Sequence, residues 1–322
     1  MAPRIPSIPS STDLSGQSAL VTGSNTGIGF ENARQFLQLK ASPVYLAVRS
    51  VERGQEAKKL LLDDPEVKKK NPGAVVEIYQ VDMASFDSVA SFAQKFSEVK
   101  KLNIAVLNAG VSFFKYIPTS DGYETVLQVN YLSNALLATH LLPLLKAGAA
   151  ASGKPSHLAF VSSNMQHMTS LKKNTIKPNE NIIDWFNNRA NFGMDRYNVS
   201  KLLLTGFTNE LASKIDSSQV VINSMCPGLV ATNFDTNSPW YLKYLMKGVR
   251  SLMARTPSEG ARALTLAAIT GTEGNGKYYS DGKETPSAAL LLTEDGKAFQ
   301  KKLWDQTLER IQQLDPTSPP PI

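Results

Sequence analysis

Tyr197 and Lys201 stand four residues apart in Tyr197-Asn198-Val199-Ser200-Lys201. Read as a helix, that spacing puts the phenol and the ammonium on one face, where both can enter one cleft. A free tyrosine titrates near about 10 and is a poor base at neutral pH. A cation held beside it favours the phenolate and lowers that pKa, so the phenol can give or take a proton. The same spacing also arises as a solvated polar pair on an ordinary helix face. Neighbouring segments weigh in. Val161-Ser162-Ser163 ends an apolar run and offers a hydroxyl to a substrate oxygen. Asn108-Ala109-Gly110 ends another apolar run in a tight turn, and Val129-Asn130 sets an amide inside an apolar stretch, where it could equally be a satisfied core asparagine.

A second constellation lies near the start, in Thr22-Gly23-Ser24-Asn25-Thr26-Gly27-Ile28-Gly29. Glycines at Gly23, Gly27 and Gly29 let a backbone turn sharply and approach a pyrophosphate, whose charge the amides of a following helix would meet. Glycine turns also occur for conformational reasons alone. Sheets that prefer NAD carry an acidic residue about 20 positions on, bonded to the ribose. No carboxylate occurs between Lys40 and Val51, and Arg49 takes the place. A guanidinium can grip a 2′-phosphate through paired hydrogen bonds, so NADP(H) is the expected cofactor.

The elements that must position these residues alternate along the chain. Apolar runs at Ser18–Val21, Val44–Val48, Val75–Val81, Ile104–Leu107, His157–Val161 and Val220–Met225 read as strands. Helical patterns cover Gly29–Leu39, Val51–Leu62, a segment opened by Ser85 and Asp87, Gly122–Leu145, Tyr197–Lys214 and Pro257–Ile269. Short apolar strands separated by helices imply a doubly wound parallel sheet in a three-layer αβα arrangement. Ligands bind such sheets beyond the carboxyl ends of the strands. The expected organisation is one α/β domain over 15–314, with a long insertion at 164–196 and an apolar lid at 233–256. Residues 1–14 and the proline-rich 315–322 read as flexible arms.

Composition narrows the function classes. A chain of 322 residues with 42% hydrophobic content can bury one sizeable core. The 34 basic and 28 acidic residues leave a net charge of +6, but the basic ones are scattered and no aromatic stripe joins them, so no nucleic acid is expected as partner. The lone Cys226 excludes an intrachain disulfide. The opening MAPRIPSIPSSTDLSG lacks the apolar core of a signal peptide, and the apolar Asn134–Ala151 is interrupted by His140, Pro143 and Lys146. It reads as a buried helix rather than a transmembrane segment, and a cytoplasmic enzyme is the plain inference. His140, His157 and His167 have no metal-ligand spacing, and no metal is expected.

Taken in order, the motifs resemble the short-chain dehydrogenase/reductase superfamily over approximately residues 15–285. They are the glycine turn Thr22–Gly29, Asp82, Asn108–Gly110, Asn130, Ser163, Tyr197–Lys201 and the Pro227–Thr232 segment. The resemblance implies a Rossmann sheet, with Tyr197 as general acid/base and Lys201 holding the nicotinamide ribose and lowering the tyrosine's pKa. It also implies Ser163 orienting the substrate oxygen, with Ser162 the competing serine, and Asn130 anchoring a proton-relaying water. Cofactor contacts implied are Gly23, Ser24, Asn25, Gly27, Ile28, Gly29, Arg49, Asp82, Met83, Asn108, Ala109, Gly110, Pro227, Gly228, Val230 and Thr232, beside Tyr197 and Lys201. Ser24 or Asn25 would assist Arg49.

One departure bears on substrate and assembly. Ser163 and Tyr197 lie 34 positions apart, much further than in most members. Lengthened loops, the LAVRSVERGQEA stretch at Leu46–Ala57 and GKYYSDGK at Gly276–Lys283 resemble the retinol-dehydrogenase-like and carbonyl-reductase-like branches. The insertion would cover the cleft or block the helix face that tetrameric members share, giving a monomer or homodimer. Trp185, Phe186 and Phe192, with Trp240, Tyr241, Tyr244 and Leu245, either line an apolar pocket or pack the insertions onto the body. By analogy with fungal natural-product reductases, the expected reaction is reduction of a ketone or aldehyde of a bulky apolar substrate, or the reverse oxidation. Two alternatives are a non-redox isomerisation or cyclisation and an NADP-binding regulator, and the regulator has no need of the complete relay set.

Overall fold

A computed structural model describes residues 4–171, 175–231 and 254–320. The six apolar runs become strands β1 (Ala19–Thr22), β2 (Val44–Val48), β3 (Val76–Gln80), β4 (Ile104–Leu107), β5 (Ser156–Val161) and β6 (Val220–Cys226). Two short strands, β7 (Tyr278–Ser280) and β8 (Lys283–Glu284), extend the sheet. The order is β3-β2-β1-β4-β5-β6-β7-β8, parallel throughout except for the last pair. Winding starts at β1 and proceeds outward in both directions, so β1 and β4 flank the topological switch point.

Successive strand residues face opposite cores, as the pleat requires. Leu158 and Phe160 of β5 join one hydrophobic cluster, Ala159 and Val161 the other. Helices α1 (Gly27–Gln38), α2 (Val51–Asp63), α3 (Pro65–Lys70) and α9 (Pro257–Ala267) contribute to the second cluster. On the first lie α4 (Phe86–Phe96), α6 (Ser133–Ser152), α7 (Ile182–Asn187), α8 (Arg196–Lys214) and α11 (Glu294–Leu314), with the short α10 (Ala289–Leu292) beside α11. The result is the expected three-layer αβα sheet. The stretch Thr125–Ser152 is apolar and long enough to span a membrane, and most of its apolar window is buried inside the protein.

Several features add to or differ from the sequence reading. The helix expected over Gly122–Leu145 starts at Thr125 as α5 (Thr125–Leu127), widens into a π-helical turn at Gln128–Leu132, and continues as α6 to Ser152. Asn134 holds the wide turn by donating its amide to the carbonyls of Val129 (2.8 Å) and Asn130 (3.3 Å). Such turns concentrate at functional sites. Second, each terminal segment, mostly exposed where described, is anchored to the body at a few residues. Ile5 and Leu14 are buried, and Arg262 donates to the Ile5 carbonyl at 3.2 Å. At the other end the Asp315 carboxylate accepts from His140 Nε2 at 2.8 Å, and Ser318 bonds Thr139 at 2.7 Å. Third, α11 was not read from the sequence at all. It seals the outer face of α8, with Trp304 stacked on Phe207 at 5.3 Å between centroids and Lys214 above the indole at 5.4 Å.

The seal has a measurable energy. Trp304→Ala removes a buried indole and should lower unfolding stability by about 3–5 kcal/mol. Chemical denaturation of the two proteins measures this, and a change under about 1 kcal/mol would show that α11 docks weakly.

Candidate active site

The cofactor turn begins where β1 ends. Gly23 and Gly27 adopt left-handed φ values of 64° and 61°, which side chains with a Cβ rarely tolerate. Gly29 is needed for a different reason: a Cβ there would lie 2.5 Å from the Gly23 carbonyl oxygen. Helix α1 starts at Thr26 with no side-chain cap and no acidic residue in its first turn. In contrast, α2, α4, α9 and α11 are capped by Ser50, Ser85, Thr256 and Thr293. The uncapped amides of α1, beside the half-buried Asn25 and Ile28, suit an anionic pyrophosphate. Ser24 departs from expectation. Its hydroxyl is buried and donates to the Val21 carbonyl at 2.8 Å, so it ties the turn together instead of assisting Arg49.

Thr22, the first residue of the motif and given no role of its own by it, joins this turn to the next. Its Oγ1 accepts the backbone amides of Asn108 and Ala109, each at 2.9 Å, while Asn108 Nδ2 donates back to the Thr22 carbonyl at 2.8 Å. The Asn108 side chain is thus committed to the frame, and the Asn108–Gly110 turn presents its backbone to the cleft. The exposed Arg49 follows β2 directly, with its carbonyl held by Gln80 at 3.2 Å. Asp82 follows β3 and accepts the Ala84 amide at 2.9 Å, and the buried Met83 takes a bond from Ser133 at 2.7 Å. Pro227, Gly228 and Val230 follow β6. Gly228 leaves room for the buried Arg255, which donates to the Pro227 carbonyl at 3.2 Å and pairs with Asp281. Thr232, most of the expected lid and its Trp240, Tyr241, Tyr244 and Leu245 lie outside the described residues.

The catalytic candidates converge at the carboxyl end of β5. The Tyr197 phenol lies near the Ser163 hydroxyl, which favours its ionised form. Ser162 turns the other way, buried against Thr205 Oγ1 at 2.8 Å, whereas Ser163 is half-buried. Lys201 lies 5.7 Å from the centre of the Tyr197 ring and donates to the Val161 carbonyl at 2.7 Å. Asn130 sits in the π-helical turn. Its Oδ1 accepts the Val111 amide at 2.8 Å, and its Nδ2 donates to the Val111 carbonyl at 2.9 Å and to Ser200 Oγ at 3.0 Å. Gly110 lies between the two groups: a Cβ there would stand 3.2 Å from Asn130 Oδ1 and 3.5 Å from Lys201 Nζ. All four predicted side chains therefore meet.

Their electrostatics differ from the sequence reading in one respect. Tyr197 is half-buried, and burial pushes its phenol above its usual range while Ser163 pulls it down. In the chain by itself, burial outweighs the lowering expected from Lys201, whose ammonium is engaged by Val161. Burial also lowers Lys201 to about 8. The inserted segment resolves another alternative in part. Phe186 is buried, Trp185 meets it edge-on at 4.9 Å, and both border a cavity of about 50 Å³, too small for a bulky substrate. These rings pack the insertion onto α8. Signals for the residues missed were weak: Asn164, bonded by Tyr278 at 2.6 Å and bonding Ser280 at 2.8 Å, has only its adjacency to Ser163 to recommend it.

Among the described residues no group of three or more His, Cys, Asp or Glu is arranged to hold a metal. His157 Nε2 donates to the Thr270 carbonyl at 2.6 Å. A buried cation with a lowered pKa binds fewer protons than its unfolded counterpart between the two pKa values, so stability rises with pH there. Relative to Lys201→Met, the nucleotide-free protein should therefore gain roughly 3 kcal/mol of unfolding stability between about pH 8 and 10.5. A flat difference across that window would mean that Lys201 is not held in a desolvating site.

Residues 17–174 match the family described as short chain dehydrogenase. The short-chain dehydrogenase/reductase tropG of Talaromyces stipitatus is 37% identical over 99% of this chain and 98% of its own length. The short chain dehydrogenase sor7 of Hypocrea jecorina is 39% identical over 89% of this chain and 81% of its own. Among solved structures, L-sorbose reductase from Gluconobacter frateurii, complexed with NADPH and L-sorbose, aligns with a TM-score of 0.62 at 22% identity, covering 86% of this chain and 99% of that one. The sheet order, the sequence relatives and the family match agree: the chain is an oxidoreductase enzyme of the short-chain dehydrogenase/reductase family.

Proposed function

We propose that this enzyme uses NADP(H) to reduce the ketone or aldehyde of a bulky apolar small molecule, with Tyr197 as general acid. The observation that carries this reading is the convergence of Tyr197 and Ser163 at the end of β5, with Lys201 and Asn130 behind them. A carbonyl oxygen placed between the two hydroxyls meets donors already in position as negative charge develops on it. A phenol held above its usual pKa stays protonated at neutral pH, which suits donation to an alkoxide. Lys201 and Asn130 would replace that proton from solvent. The reduced nicotinamide, when bound, supplies the hydride.

Arg49, exposed directly after β2, supports NADP(H) over NAD(H). The uncapped α1 amides, Asn25, Ile28, Asp82 and the Asn108–Gly110 backbone would hold the nucleotide, with Pro227, Gly228, Val230 and Thr232 beside the nicotinamide. The fungal sources of the sequence relatives and the long insertion support a natural-product intermediate as substrate. Because α11 covers α8, a monomer or a homodimer formed through another surface is the assembly we favour.

A ketone panel with NADPH tests the reading directly. Loss of nicotinamide absorbance with alcohol product supports it, while product formed without NADPH consumption would indicate a non-redox step. Tyr197→Phe should lower turnover by about 10²–10⁴-fold with nucleotide affinity nearly unchanged. Turnover within a few fold of wild type would contradict the assigned role. Arg49→Glu should weaken NADPH binding by about 10- to 100-fold and leave NADH almost unaffected. Equal losses for both nucleotides, measured by titration, would remove the 2′-phosphate contact.

A further inference from the structure

Helix α8 begins without an ordinary cap. Asp195, at its N-cap, makes no capping bond, because its carboxylate accepts the Ser170 amide at 2.6 Å. The residues on both sides of Tyr197 are instead fastened to the inserted segment. Asn198 donates to the Met168 carbonyl at 2.8 Å. Arg196 donates to the Asn191 carbonyl at 3.1 Å, and its guanidinium lies 5.0 Å from the Phe186 ring centre and 5.4 Å from that of Phe192. The far side of Arg196 faces Glu124, with Nε 3.7 Å from Oε2. Both side chains are buried, 2% and 0% exposed.

Glu124 reaches the other half of the catalytic group. Its carboxylate caps α5 through the amides of Val126 (3.0 Å) and Leu127 (2.9 Å), directly before the π-helical turn that carries Asn130. Its own amide donates to Asn187 Oδ1 of the insertion at 2.7 Å. Removing two ions from water is costly, and a well-packed apolar pair of the same volume often serves stability as well or better. The planar guanidinium, fixed between two rings and one carboxylate, supplies orientation that an apolar pair would not.

We infer that Arg196 is a positioning residue through which the 164–196 insertion and Glu124 set the direction of the Tyr197 phenol. The long insertion is on this view part of the catalytic scaffold. The inference rests on the acid/base reading of Tyr197 for its consequence in turnover, but not for its geometry.

Two variants test it. Arg196→Lys keeps the charge and loses the planar fork. Glu124→Gln together with Arg196→Met removes both charges, so that neither is left buried alone. In protein labelled with carbon-13 at the tyrosine ζ position, Tyr197→Phe identifies the Tyr197 resonance. Both variants should displace that resonance while leaving those of Tyr45 and Tyr79 in place, and the double variant should melt near the wild type. With an aryl ketone, kcat should fall by about 10- to 100-fold with the NADPH KM unchanged. A Tyr197 resonance at its wild-type position in both variants would overturn the inference. That measurement needs no substrate, so it decides the positioning role separately from any result that removes Tyr197 as the acid.

Discussion

The Thr22 hydroxyl accepts two backbone amides from the Asn108–Gly110 turn, and the two ligand-facing edges of the sheet become one piece. Without that bridge, the turns after β1 and β4 would be separate loops, each with amides to satisfy on its own. The Asn108 amide closes the frame by returning a bond to the Thr22 carbonyl. Gly29 then allows α1 to press against the same turn, since a side chain would strike the Gly23 carbonyl. Thr22, Asn108 and Gly29 therefore hold the start of α1 uncapped and aimed at the crevice.

The same economy of bonds governs the reactive end. Asn130, Ser200 and Lys201 are all buried, and buried polar groups must find partners. Asn130 bonds Val111 and Ser200, and Lys201 bonds the last residue of β5. These contacts fix the lysine beneath the Tyr197 ring. The widened turn at Gln128–Leu132 is what carries the Asn130 amide to Val111, and Asn134 compensates the backbone disturbed by it. A helical irregularity thus has a definite structural cost and a definite use.

Much of this was legible in the residues. Strands buried on both faces write themselves as unbroken apolar runs, which is why β2 and β4 fall where Val44–Val48 and Ile104–Leu107 placed them. The cleft residues Ser163, Tyr197 and Lys201 were recoverable because each follows an element end or keeps a helical spacing. Contacts between distant segments were not recoverable. Glu124 and Arg196 look like ordinary charged residues until the fold brings them together in the interior. The phenol's pKa direction also escaped, because spacing reveals a neighbouring charge but not how much water the fold removes. Helix α11 went unread because its buried stripe of Leu303, Trp304, Thr307 and Ile311 is narrow within a charged segment.

The N-terminal segment has a practical bearing. Ile5 sits in contact range of both the Gly282 turn and α9, where Glu259 and Arg262 take its backbone groups. Helix α9 is also the element that packs on α1 and, through Gly260, against Val230. An affinity tag or fusion partner joined at this end would pull on the contacts that Ile5 makes with α9, so purification handles are better attached elsewhere.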